Sequence, residues 1–121
     1  MMLPTDVFLT ELLLRPLGDR KWLIKHDFIT ETKAAGRIVV PGGFISDLNS
    51  IPRFLWWAST PSDYPEAGVT HDWLYCSQAG QKLADDTYLE LLRASGMGFA
   101  RAQSRYAALR LFGGPAYRSH A

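Results

Sequence analysis

Residues 81–95, QKLADDTYLELLRAS, decide how this chain is read. Asp86, Glu90 and Arg93 recur at helical spacing as a polar stripe. Asp85, Leu89 and Leu92 share the neighbouring stripe, with Ala84, Tyr88 and Leu91 beside them. A helix from Gln81 to Ser95, closed by Gly96 and Gly98, therefore turns Asp86 to water and Asp85 towards its apolar side. A carboxylate on that side needs a partner, because burying it unpaired is costly.

The preceding segment supplies one. Glu66 to about Ser77 reads as a helix with Pro65 at its mouth, and His71 and Tyr75, four apart, share a face. Asp72 is turned aside from them by about 100°. The break between the two helices falls near Ala79 and Gly80, about eight residues after His71 and about six before Asp85. So short a connection favours an antiparallel pair in which His71 and Asp85 face each other. A carboxylate on one imidazole nitrogen fixes the tautomer and stabilises the protonated ring, which makes a general base. The same pair is also an ordinary way to satisfy a half-buried polar group, and the residues leave both roles open.

Outward from this pair, Phe99 to Phe112 reads as a further helix, ended by Gly113-Gly114-Pro115, with a loose tail from Ala116. Upstream, Val7–Leu14, Lys21–Ile29 and Arg37–Val40 read as strands of one antiparallel sheet, with Pro16 and Gly18 turning the chain after the first. Within the second, Trp22, Ile24 and Phe28 lie on one side. Pro52 suits the first turn of a short helix through Trp57, broken by Pro61, Ser62 and Asp63. Strands first and helices after is the α+β pattern: a small N-terminal antiparallel sheet, a short helix and three longer helices. One domain spanning residues 1–121 is expected, loose at about 1–6 and 116–121.

Apolar residues make up 47% of the 121 and charged residues 21%, and four Trp, five Tyr and six Phe furnish a core. Thirteen basic against twelve acidic residues leave a net charge of +1, which argues against general nucleic-acid binding. The lone Cys76 cannot form an internal disulfide. No apolar run approaches the roughly 20 residues that span a bilayer. The start carries Asp6 and Glu11 and lacks the pattern of a signal peptide, so synthesis in a cytoplasm is expected.

The loop GFISDLNSIPR, residues 43–53, holds further polar candidates. Asp47 or Ser50 suits a capping role at the helix beginning near Pro52, and Arg53 with the Gly pair leaves room for ligand contact. Asp47, Asp72 and Asp85 are weak candidates for a hard cation such as calcium, since no spacing matches a calcium loop. Zinc is disfavoured with so few Cys and His, and His26 and His120 look incidental. Arg101 and Arg105 lie four apart, followed by Arg110 and Arg118; they suit phosphate or an acidic partner, though a solvated face is the preferred reading. Trp56 and Trp57 cannot both point inward on one helix, and an exposed Trp often marks a contact surface. The catalytic candidates are thus His71, Asp85 and Asp72. The candidates for a ligand or partner are Asp47, Ser50, Arg53, Tyr75, Arg101 and Arg105.

At GFISDLNSIPR, HDWLY and KLADDTY the chain resembles a family of unknown function, numbered thirteen fifty-three, found widely in tailed-phage and prophage genomes. The family positions fall on Gly43, Phe44, Asp47, Ser50, Pro52, Arg53, His71, Asp72, Tyr75, Asp85, Tyr106 and Arg110, and the likeness runs from about Trp22 to Gly113. Ser46 and Asn49 depart from the usual Thr and Ala. The resemblance implies a phage or prophage origin and a place among virion or tail proteins, and it supplies no activity. A local likeness to secreted phospholipases A2, confined to two helices, implies His71 as the group activating water, Asp85 orienting it and Asp72 holding calcium. With the balanced charge and modest length, the resemblance favours a virion-associated tail or baseplate component with other virion proteins as partners. The alternatives are a hydrolase of lipid or cell-envelope ester or amide bonds, and a small ligand-binding or host-interaction module.

Overall fold

A computed structural model describes residues 7–18, 21–46 and 64–119. Strands β1 (Leu14–Gly18), β2 (Lys21–Ile24), β3 (Phe28–Thr32), β4 (Gly36–Val40) and β5 (Ile45–Ser46) come first. Helices α1 (Pro65–Cys76), α2 (Gln81–Ala94), α3 (Phe99–Phe112) and α4 (Gly114–Ser119) follow. This is the expected α+β order, with the antiparallel strands ahead of the helices.

The strands form two sheets where one was expected: a three-stranded sheet in the order β1-β2-β5 and a two-stranded hairpin β3-β4, all antiparallel. The single strand read over Lys21–Ile29 breaks between Ile24 and Phe28 because side chains take over the backbone groups at the corner. Gly42 donates its N–H to Asp27 Oδ1 at 2.8 Å, Ile29 donates to Thr10 Oγ1 at 2.9 Å, and Thr10 Oγ1 donates to the Asp27 carbonyl at 3.2 Å. Trp22 and Ile24 thus end up in one sheet and Phe28 in the other, yet all three still pack in one apolar cluster.

The first strand is also displaced. Residues 7–13, expected to be a paired strand, make a bridge between Phe8 and Thr30 and single backbone bonds to Ile29 and Lys25, and β1 begins at Leu14 where the strand was expected to stop. Pro16, read as a turn residue, sits inside it. The order β1-β2-β5 places β1 at a sheet edge, where a missing N–H costs no ladder bond. The two-residue β5 was not expected. The proposed helix at Pro52–Trp57 lies outside the described residues.

The helices follow the sequence pattern closely. Ala84, Asp85, Thr87, Tyr88, Leu91 and Leu92 of α2 are buried. Gly80, at φ 122°, makes the sharp entry that lets α2 fold back along α1. One cluster, containing Ala67, Tyr88, Leu91, Leu92, Ala102 and Leu109, joins the three long helices, and a second packs Ile24, Phe28 and Val40 against Val69, Tyr75 and Ala84. Glu90 ties the hairpin to α2 by accepting backbone N–H bonds from Lys33, at 2.8 and 3.0 Å, and from Ala34 at 3.0 Å.

Residues 116–119, where a loose tail was expected to begin, belong to helix α4 (Gly114–Ser119), and Tyr117 ties that helix to the rest of the chain. Its hydroxyl accepts the Gly80 N–H at 3.0 Å, its carbonyl accepts Gln78 Nε2 at 2.9 Å, and its ring meets Tyr75 edge-on with centroids 5.1 Å apart.

Candidate functional site

Three donors converge on one buried carboxylate. Asp85 Oδ1 lies 2.8 Å from His71 Nε2 and accepts the Tyr75 hydroxyl at 2.7 Å, while Oδ2 accepts Arg110 Nη1 at 3.1 Å. The His71 and Asp85 side chains are 0% exposed, whereas that of Arg110 is 36% exposed. The helix pairing explains the convergence. His71 and Tyr75 stand one turn apart on α1, Asp85 faces them from α2, and Arg110 closes the group from the last turn of α3. A carboxylate that accepts all three bonds is acting purely as an acceptor, so the network assigns a proton to His71 Nε2.

The other ring nitrogen is the unusual atom. His71 Nδ1 is buried and has no hydrogen-bond partner among the described residues. The ring is packed against Tyr75, with centroids 4.1 Å apart, and Tyr88, at 5.0 Å. An unsatisfied buried nitrogen costs about 1–3 kcal/mol, so it calls for a reason. Chemically, a neutral imidazole that donates from Nε2 to a carboxylate presents a lone pair at Nδ1, the arrangement of an oriented base. Burial and the bond to Asp85 push the Tyr75 hydroxyl well above the usual phenol range, so it stays a proton donor.

The remaining candidates distribute as follows. Asp72, also buried, accepts Ser46 Oγ at 2.9 Å and lies 3.8 Å from Cys76 Sγ. It thus joins α1 to the end of β5. Among the described residues no group of three or more His, Cys, Asp or Glu is placed to hold a metal ion. Asp47, Ser50 and Arg53 lie outside the described residues. Arg101 is exposed, as a solvated face requires, but Arg105 is not: it is 5% exposed and donates to the Tyr88 hydroxyl at 3.0 Å. That corrects the reading of the arginine run as one solvated face. Helical spacing puts Arg105 three residues from Ala102 and four from Leu109, both fully buried, and this was the available signal.

Arg110 was read as part of that run and as one of the family positions, and its contact with Asp85 was not anticipated. Tyr106, one turn earlier on α3, donates to Asp86 Oδ1, and Lys82 bonds Asp86 Oδ2 at 2.8 Å. The hydrogen bonds from Lys82 and then Tyr106 hold the Asp86 carboxyl below its ordinary range. Two adjacent acids are therefore held by two α3 residues one turn apart.

A family model described as "protein of unknown function (DUF1353)" matches residues 22–109. The chain belongs to this family. The matched span takes in the first core strand, the whole of α1 and α2 and the buried part of α3, so His71, Tyr75 and Asp85 all fall within DUF1353, while Arg110 lies one residue past its end. Comparison with curated proteins and with solved structures gives no match.

Proposed function

We propose that the chain is a hydrolase of ester or amide bonds in lipid or the cell envelope, with His71 as general base and Asp85 as the group that orients it. The observation carrying this reading is the asymmetry of the imidazole: Nε2 is 2.8 Å from Asp85 while Nδ1 has no partner among the described residues. A structural histidine normally satisfies both nitrogens, whereas a base needs one free. Arg110 and Tyr75 complete the acceptor shell of Asp85 and so fix the ring. The substrate class follows from the phage or prophage origin that the family resemblance implies. Because the ring is fully buried, turnover requires an opening that admits substrate and water to Nδ1.

The test is a panel of phospholipid vesicles, short-chain nitrophenyl esters and cell-wall fragments, assayed with the parent chain and with His71→Gln. The amide of Gln still donates towards Asp85 but cannot take the proton. Turnover by the parent that drops by about 10²- to 10⁴-fold in the variant, with the fold intact by near-UV circular dichroism, supports the reading. A parent chain inert on the whole panel removes it.

A second reading, a virion-associated tail or baseplate component made in the host cytoplasm, draws on α3. Phe99 is 65% exposed at the start of that helix and Leu111 74% exposed near its end, apolar side chains that a virion partner would cover. Mass spectrometry of purified particles that detects no peptide of this chain removes this reading.

A further inference from the structure

An antiparallel sheet with one face on the core normally carries polar residues on the other. The outer face of the β1-β2-β5 sheet departs from that rule. Register pairs Arg15 with Leu23 and Leu23 with Ile45, so these three form one row across the sheet. The alternate positions point inward: Ile24 and Ser46 are fully buried, and Ser46 bonds Asp72 of α1. Outward positions continue to Lys21 along β2, and to Leu13 and Lys25, which are joined by a bond from the Lys25 N–H to the Leu13 carbonyl at 3.0 Å. Leu17 lies at the bulged end of β1.

The result is an aliphatic patch framed by cations. Leu13 is 37%, Leu17 46% and Ile45 51% exposed, and Leu23 is half-buried between Arg15 and Ile45. Arg15, Lys21 and Lys25 are exposed and form no ion pair among the described residues. Among the described residues, the nearest acids along these segments, Glu11 and Asp27, stand two residues beyond Leu13 and Lys25.

We propose that this face docks the protein on an anionic lipid bilayer. Three strands about 4.8 Å apart, of five, four and two residues, give a face of at most roughly 10 by 16 Å, far short of the about 800 Å² per partner of a stable protein interface. A second copy would set unpaired cations against unpaired cations. A bilayer needs only the aliphatic tips at the acyl boundary and the cations among phosphates. The face lies on the opposite side of the sheet from α1, so docking leaves the His71 network uncovered and stands independently of the hydrolase reading.

The full chain is sedimented with vesicles of phosphatidylcholine alone or mixed equally with phosphatidylglycerol. Binding to the mixed vesicles only, reversed by salt, is expected. Arg15→Gln with Lys25→Gln should weaken it about 25-fold, at about fivefold per cation, and Ile45→Ser should weaken it further. These side chains are exposed, so the variants should melt with the parent, which circular dichroism checks. Failure to bind anionic vesicles, equal binding to neutral ones, or unchanged binding by the variants overturns the proposal. So does a lipid-free dimer in sedimentation equilibrium that Ile45→Glu dissociates, which would assign the face to a second copy.

Discussion

Replacing Asp85 by Asn keeps the shape of the side chain and removes its charge, which makes it the most direct probe of the buried network. The amide oxygen can still serve His71 and Tyr75, which share Oδ1, but the amide N–H₂ then meets Arg110 Nη1, donor against donor. One charge-assisted bond, worth about 1.5–3 kcal/mol, is lost outright, and the other two fall to about half their strength. Arg110 is 36% exposed and rehydrates, which holds the total near the lower end of the about 3–5 kcal/mol for breaking a buried pair. About 3 kcal/mol is a large part of the roughly 5–15 kcal/mol that holds a domain folded, and it should lower Tm by about 10 °C. Urea unfolding followed by circular dichroism measures it. Tyr75→Phe in a double-mutant cycle should couple to Asp85→Asn by at least about 0.5 kcal/mol, because both changes touch the same oxygen. A midpoint within about 0.5 kcal/mol of the parent, or additive behaviour in the cycle, would refute the convergence of donors on Asp85.

Other perturbations test the surrounding scaffold. Gly113→Ala should destabilise by about 1–3 kcal/mol, since a Cβ there meets the Leu109 carbonyl at 2.5 Å and the Tyr75 hydroxyl at 2.7 Å; thermal melts report it. Glu90→Gln weakens the clamp on Lys33 and Ala34 and should cost about 1 kcal/mol, with faster amide exchange confined to those two residues. The Asp86 carboxyl is held low by Lys82 and Tyr106, so its small contribution is present above its ordinary value of 3.8 and disappears as pH falls through the depressed folded value. In Lys82→Met, carbon-detected titration should show the Asp86 midpoint moving upward, and an unchanged midpoint would count against the ion pair.

The helical half of the molecule was legible because its information is periodic. Asp85 and Asp86 are neighbours in sequence, and a period of 3.6 alone sends one inward and the other to the surface. A short link after Gly80 was then enough to bring His71 opposite Asp85. The sheet half was less legible because tertiary contacts set its boundaries. The break after Ile24 depends on Thr10 and Gly42 arriving beside Asp27 from distant segments, which no local pattern announces. Pro16 reads as a turn until the strand is known to be an edge. Arg105 and Arg110 were misread for a related reason. Long cationic side chains on a helix are ordinarily solvated, and only the arrival of Tyr88 and Asp85 from α2 gives these two an inward partner.

The adjacent acids of α2 and the paired residues of α3 have one more consequence. Tyr106 reaches Asp86 and Arg110 reaches Asp85, so the two helices are matched like the teeth of two gears. Turning α3 by one residue swings both contacts away by about 100° at once, and no neighbouring setting offers a substitute pair. Apolar packing alone tolerates such slips, since one leucine fits much like another. Here a mis-set arrangement costs Asp85 its bond from Arg110 and Asp86 its bond from Tyr106 together, so the polar teeth select a single alignment of α2 and α3 from the several that their aliphatic faces would accept.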